Sequence, residues 1–244
     1  MGNFYIDGEA IEYEEKKSTR AKRLIISIRA GKIRVTVPLK VTSRQVALFV
    51  EAKKHWVYSH WKEQQTVRKA LAERDLFVGV DFLYLGHPIH VQATLVQAQR
   101  TKVLCQEGGL ELFIPKSLVE NMEFTERQAR VKEVLNVWYK ENARKFFKEK
   151  LDYYGAKMKV EYHDFRVKEQ KTKWGSCSGK GNINLNWRLM MAPEQVINYV
   201  VIHELAHLRH PNHGPRFWQF VAMVMPDYME WRGWLRKNGA SLWL

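Results

Sequence analysis

Cysteine is nearly absent from these 244 residues: there are two, Cys105 and Cys177, far apart in the chain. They match no paired-cysteine pattern, so no disulfide framework is written here and a reducing compartment fits. Long apolar runs are missing too, since none approaches the roughly 18 uninterrupted residues that a membrane helix requires. The opening stretch from Met1 to Glu15 is polar and acidic, unlike a secretory leader. The expectation is a cytoplasmic protein with no membrane partner. Low complexity is likewise lacking: apolar residues make up 45% and aromatic residues 12%, so the whole chain is expected to fold, as one or two domains with a sizeable core.

A local absence matters as well. From Lys16 to Val50 there are ten basic residues and no acidic one, within a chain whose formal net charge is +14. Elsewhere the basic excess is diffuse. A strip of this kind suits phosphate, which makes Arg20, Lys22 and Arg23 candidates for nucleic-acid contact; the competing reading is a solvated sheet face in a basic protein.

Alternation marks strands at Leu24–Arg29 and Ile33–Val37, joined through Ala30-Gly31-Lys32 and ended by Pro38, the signature of a hairpin. Residues 43–64 carry apolar positions at helical spacing without Gly or Pro, with Thr42 or Ser43 able to cap them, and 66–75 extend the pattern. Strands return after Gly79, at Asp81–Leu85, Pro88–Leu95 and Thr101–Cys105. The segment Gly31–Pro38 then repeats as Gly108–Pro115, apolar at the same alternating positions, and each copy is followed by a helical segment bearing a Trp, Trp56 and Trp138. This predicts two copies of a hairpin-then-helix unit. A second long helix is expected over about 124–150, opened by Thr125 and closed before Gly155, then a strand from Lys159 to Lys168 and another from Asn182 to Trp187.

The chemistry lies after Pro193, which suits a first helical turn. Two histidines, His203 and His207, stand one turn apart in an expected amphipathic helix, with Glu204 between them. Both imidazoles can then reach one Zn²⁺ while Glu204 takes a proton from its bound water. A catalytic zinc needs a third protein ligand, and two histidines compete for the place. His210 would stand roughly 10 Å along a straight helix axis from His203, too far to share the ion. His213 lies beyond the Pro211-Asn212 turn and can fold back, so it is the expected ligand.

These pieces resemble the YgjP-like metallopeptidase family, which is distantly similar to SprT and Spartan-type zinc proteases, all of zincin architecture. The resemblance rests on Lys171-x-x-Trp174-Gly175-Ser176-Cys177, Ile183 to Asn186, Tyr199 to Leu208, Asn212-His213-Gly214 and Phe217-Trp218, and extends to the N-terminal basic strand and the Trp56 helix. It implies an α+β fold: N-terminal β-hairpin and helix units over 1–120, then a zincin-like domain over 121–244 whose H-E-x-x-H helix packs on a small sheet. It further implies that His203, His207 and His213 bind one zinc per chain and that Glu204 is the catalytic base.

The expected function is zinc-dependent hydrolysis of peptide bonds in a protein or peptide substrate, with nucleic-acid-bound proteins as one substrate class. Arg216, Tyr228 and His210 are the candidate oxyanion donors. The strand from Asn182 corresponds in zincins to the edge that pairs with extended substrate, which nominates Asn184 and Asn186 for substrate contact. Trp174 is a candidate for the cleft lining, while the favoured reading of the segment to Cys177 is a tight turn with an aromatic anchor in the core. Met223, Met225 and the Trp218, Trp231, Trp234 and Trp243 group read as packing. The alternative function is a nucleic-acid-binding protein with a structural zinc site and no peptidase activity. Such a site is usually closed by a fourth protein ligand and needs no neighbouring base.

Overall fold

The computed structural model describes residues 1–29, 31–72, 75–106, 109–170 and 173–242, with side chains omitted for 29 and 67–72. The expectations placed on Ala30, Gly108, Lys171 and Trp243 lie outside the described residues. The chain divides into two compact units, Met1–Arg74 and Asp75–Leu244.

The first unit opens on a hairpin that the strand reading overlooked, β1 (Gly2–Ile6) and β2 (Glu9–Ser18). Its turn, Asp7-Gly8, takes positive φ at both positions, as a two-residue hairpin whose twist matches its strands requires. The expected hairpin follows as β3 (Ile25–Arg29) and β4 (Lys32–Pro38). The sheet order is β1-β2-β4-β3, with β2 and β4 parallel. Its alternation buries Phe4, Ile6, Ile11, Tyr13, Ile33, Val35 and Val37 in one core with Val46, Val50 and Val57. Those valines come from α1 (Ser43–Glu51) and α2 (Lys54–Ala72). The single helix expected over 43–64 is therefore two. Lys53 N–H bonds to Val50 O, three residues back, and this tightened turn interrupts the α ladder.

The second unit repeats the design. Strands β5 (Val80–Tyr84), β6 (His87–Val96), β7 (Lys102–Gln106) and β8 (Gly109–Pro115) form a sheet of order β5-β6-β8-β7, again with the second and fourth strands parallel. The matching segments of the sequence repeat are thus β4 and β8. The hairpin turn Leu85-Gly86 copies the positive φ of Asp7-Gly8. A Cβ on Gly86 would stand 2.9 Å from Pro193 Cα, and Leu85 N–H donates to Met190 O at 2.7 Å. That turn props the start of the helix that carries the histidines.

After β8 comes α3 (Phe124–Met158), whose buried residues recur at three- and four-residue steps from Gln128 to Met158. Gly155 does not end it. The stop falls at Lys159, in the left-handed region with φ 54°, while Gly155 is buried inside the helix. The strand expected from Lys159 starts only at Asp164, as β9 (Asp164–Lys168). It joins β10 (Gly175–Cys177) and β11 (Asn182–Asn186) in a sheet of order β10-β11-β9. Helices α4 (Glu194–Ala206), α5 (Pro215–Val224) and α6 (Tyr228–Asn238) complete the unit.

The architecture is α+β. Its division falls at 74/75 instead of the expected 120/121, for a physical reason. Phe82, Val91, Leu110, Leu112 and Ile114 of the second four-stranded sheet share one continuous core with Leu135 and Tyr139 of α3, Leu185 of β11 and Ile197 of α4. Each copy of the repeat packs with the helix that follows it. Helix α4 is also not amphipathic: Val196, Ile197 and the run Tyr199 to Ile202 are buried, as is Glu204 to Ala206, as befits a helix enclosed on nearly all sides. Met225 is buried as expected, but Met223 is 80% exposed. Trp218, Trp231 and Trp234 pack on the core. Among the described residues no helix is long and apolar enough to cross a membrane.

Candidate metal centre

His203 lies in the last turn of α4, and His207 is its C-cap with helical dihedrals (φ −65°, ψ −21°), which keeps the two imidazoles one above the other, 5.0 Å between ring centroids. The chain then turns sharply. Leu208 N–H bonds to Leu205 O, and Arg209 and His210 N–H both bond to Ala206 O. Pro215 at the first turn of α5 relaunches the helix in a new direction. Between the two, His213 returns to α4, its Nε2 2.9 Å from His203 Nε2. Each of His203, His207 and His213 thereby offers one nitrogen within 4.8 Å of the others.

Two features of this cluster fit a divalent metal. Burial and the neighbouring imidazoles push the His203 ring down to about 3, and burial lowers His207 as well, so both keep lone pairs free at neutral pH, as metal ligands must. The nitrogen that His203 turns to the cluster is Nε2; its Nδ1 is buried with no hydrogen-bond partner among the described residues. His207 Nδ1 faces His210 O at 3.3 Å, a contact that fixes the tautomer leaving Nε2 bare. His210 thus enters through its backbone carbonyl. Its ring lies 5.6 Å from that of Phe220 and outside the cluster, which includes no fourth His, Cys, Asp or Glu donor among the described residues.

Aromatic rings enclose the imidazoles. Phe217, fully buried, stands 4.7 to 4.9 Å from all three rings. Trp218 stacks on His213 at 5.6 Å, Tyr228 stacks on Trp218 at 5.3 Å, and the Arg232 guanidinium carbon sits 4.5 Å from the Trp218 ring centre. Of the candidate oxyanion donors, Tyr228 belongs to this stack, while exposed Arg216 borders a depression of about 420 Å³ beside His210 and Pro211. Arg232, twenty-five residues past His207, carried no sequence signal of its own.

Glu204 is 5% exposed. Burial pushes its carboxyl up to about 7, opposed by Lys173 and by the backbone N–H of Cys177. Strand β10 lies directly on it: a Cβ on Gly175 would stand 2.6 Å from Glu204 Oε1 and 2.7 Å from its Cγ. The sequence reading saw a tight turn at Gly175 and missed this contact, which joins residues 29 positions apart. The Cys177 thiol is pushed up to about 11 by burial and by Glu204, so it stays protonated at neutral pH.

The remaining candidates fall elsewhere. Trp174 packs against the backbone at Gly239, where an added Cβ would meet its ring at 3.0 Å. Asn184 Nδ2 donates to Ser176 Oγ across the β10–β11 pair. Asn186, 1% exposed, donates to Gln170 O and Lys173 O and accepts from Arg188 N–H. Strand β11 is central, paired with β9 and β10, so the expected substrate edge cannot be its own; the outer strands are β9 and β10, of which β10 lies on Glu204. Arg20, Lys22 and Arg23 are exposed on the β2–β3 connection of the first unit.

An α+β unit that converges three imidazoles beside a buried glutamate defines a metal-dependent hydrolase. The sequence profile described as YgjP-like, metallopeptidase domain, matches residues 22–238, and the chain belongs to that metallopeptidase family. A solved structure, the metallopeptidase zymogen of Pyrococcus abyssi abylysin, is similar at 26% identity over 37% of this chain and 93% of that one, with a TM-score of 0.35. No curated protein matches the chain.

Proposed function

We propose that this metallopeptidase is zinc-dependent and of the H-E-x-x-H type, with His203, His207 and His213 holding the ion and Glu204 moving the proton. The observation that carries the reading is the joint geometry of three convergent imidazole nitrogens and a buried glutamate on the same helix. Three nitrogen ligands suit zinc and leave a fourth position for water. When bound, zinc supplies Lewis acidity to a scissile carbonyl and acidifies a water.

The protein's own part follows from the surroundings of Glu204. Burial raises the Glu204 carboxyl above the usual carboxylate range, which strengthens it as acceptor of the proton that it returns to a leaving amine. Gly175 and the Cys177 N–H fix its orientation. The outer edge of β10 offers backbone donors and acceptors to an extended peptide, beside that carboxylate. Tyr228 and Arg232, held beside the imidazoles by the Trp218 stack, are candidate donors to a developing oxyanion.

The test pairs elemental analysis of the purified protein with cleavage of casein by wild type and Glu204→Gln. One zinc per chain in both, with cleavage lost in the variant, is expected. Cleavage that survives Glu204→Gln overturns the assignment of the base, and zinc with no turnover in wild type favours a structural site.

A further inference from the structure

Six exposed cations of the first unit lie at one end of its sheet. Because β2 and β4 run parallel, Ser18 and Pro38 lie side by side, and β3 begins at the same end, with Ile25 opposite Thr36. The loops 19–24 and 39–42 therefore leave the sheet together. Lys16, Arg20, Lys22, Arg23, Lys40 and Arg44 lie on or beside these loops, and all six are exposed in the whole chain. None forms an ion pair among the described residues.

Three cations elsewhere in this unit have acceptors, whereas exposed Lys32 at the opposite end forms no ion pair among the described residues. Arg34, mid-sheet, bonds Glu14 at 2.9 Å, and Lys54 pairs with Glu51. At the opposite end, Lys62 donates to Tyr58, which donates to Glu9. A merely solvated basic face would intersperse the signs in the same way at both ends. Here one end collects six cations across three strands, a width of roughly 10 Å, close to one Debye length at physiological salt, so they act on a ligand as one field.

We propose that this end of the sheet docks the phosphate backbone of duplex nucleic acid without reading its sequence. A duplex presents about one negative charge per 1.7 Å of axis, enough to meet several of these cations at once. Single strands are held by bases stacked on aromatic rings, and residues 16–44 contain no Phe, Tyr or Trp. This proposal does not rest on the peptidase reading.

The test is fluorescence anisotropy of the full chain with a mixed-sequence 20-base-pair DNA duplex, from 50 to 200 mM salt. Two triple variants remove equal charge: Arg20→Gln, Lys22→Gln, Arg23→Gln at the sheet end, and Lys145→Gln, Lys157→Gln, Lys237→Gln on exposed helix faces of the second unit. The first is expected to bind at least about tenfold more weakly with a salt slope lower by about 2 to 3, and the second to bind within about twofold of wild type. Lys40→Gln with Arg44→Gln, on the other loop, should weaken binding too. Equal losses in both triple variants would mean diffuse charge alone. Absence of salt-dependent duplex binding, tighter binding to a single strand, or preference for phosphatidylserine vesicles would each overturn the proposal.

Discussion

Gly175 and Glu204 are in contact so close that no side chain can come between them: a Cβ on Gly175 would lie 2.6 Å from Glu204 Oε1, 2.7 Å from Cγ and 2.9 Å from Cδ. No positive φ is involved, so the glycine is required by approach and not by backbone conformation. Gly175→Ala must displace either β10 or the carboxylate, and the carboxylate is the flexible partner. Peptidase turnover is expected to fall by about 100-fold, the scale of an ångström-sized misplacement, with zinc content unchanged. Gly179→Ala, where an added Cβ meets nothing within 4 Å, should leave turnover as it was.

The two histidines that competed for the third position behave oppositely. His213 brings Nε2 to 2.9 Å from His203 Nε2, whereas His210 supplies a backbone carbonyl to His207 Nδ1. His213→Ala is expected to lose zinc on dialysis against a mild chelator. His210→Ala keeps the carbonyl, so zinc should stay, with only a small loss of stability from the missing contact with Phe220. Zinc release from His210→Ala as fast as from His213→Ala would contradict this.

What the sequence could reveal followed the range of the interaction. The one-turn spacing of His203 and His207 and the Pro211 turn before His213 are local, and helix geometry converts them directly into convergence. The hairpin at Asp7-Gly8 was equally local, an Asp-Gly between alternating strands, and was readable but overlooked. By contrast, the place of β10 on Glu204 and the sharing of a core between β8 and α4 depend on pairings across many residues, which no periodicity records. The end of α3 misled for a different reason. Glycine favours helix ends, but Gly155 is used for close packing, with Val160 O 3.2 Å from where its Cβ would be, and Lys159 takes the left-handed cap.

Tyr139 reports on the shared core. It is fully buried on α3, and its hydroxyl donates to Leu83 O at 2.6 Å, tying the helix to β5. Burial pushes the phenol well above its ordinary range, so it remains a donor at any working pH. Tyr139→Phe keeps the ring contacts with Trp138 and Trp187 but strands the carbonyl, at a cost of about 1 to 3 kcal/mol. Urea denaturation should show that loss without a change in zinc content.

Acid stability depends on the segment just before β10. Arg188, stacked on Trp187 with its side chain 9% exposed, donates through Nη2 to Glu169 Oε1 at 2.8 Å, and Lys140 Nζ reaches the other oxygen at 3.3 Å. The Arg188 hydrogen bond holds the Glu169 carboxyl below the usual carboxylate range, with Lys140 adding to it. A carboxyl lowered by folding contributes stability that is complete above its unfolded pKa and fades as pH falls through the folded one. Wild type should therefore exceed Glu169→Gln in urea midpoint at pH 6 to 7, and the gap should close as pH drops below about 4. Glu169 is nearly half exposed, so the gap at neutral pH should also shrink in high salt. A gap that persists unchanged at pH 3 would show that the substituted amide fails for a packing reason and that the ion pair is not the source of the difference.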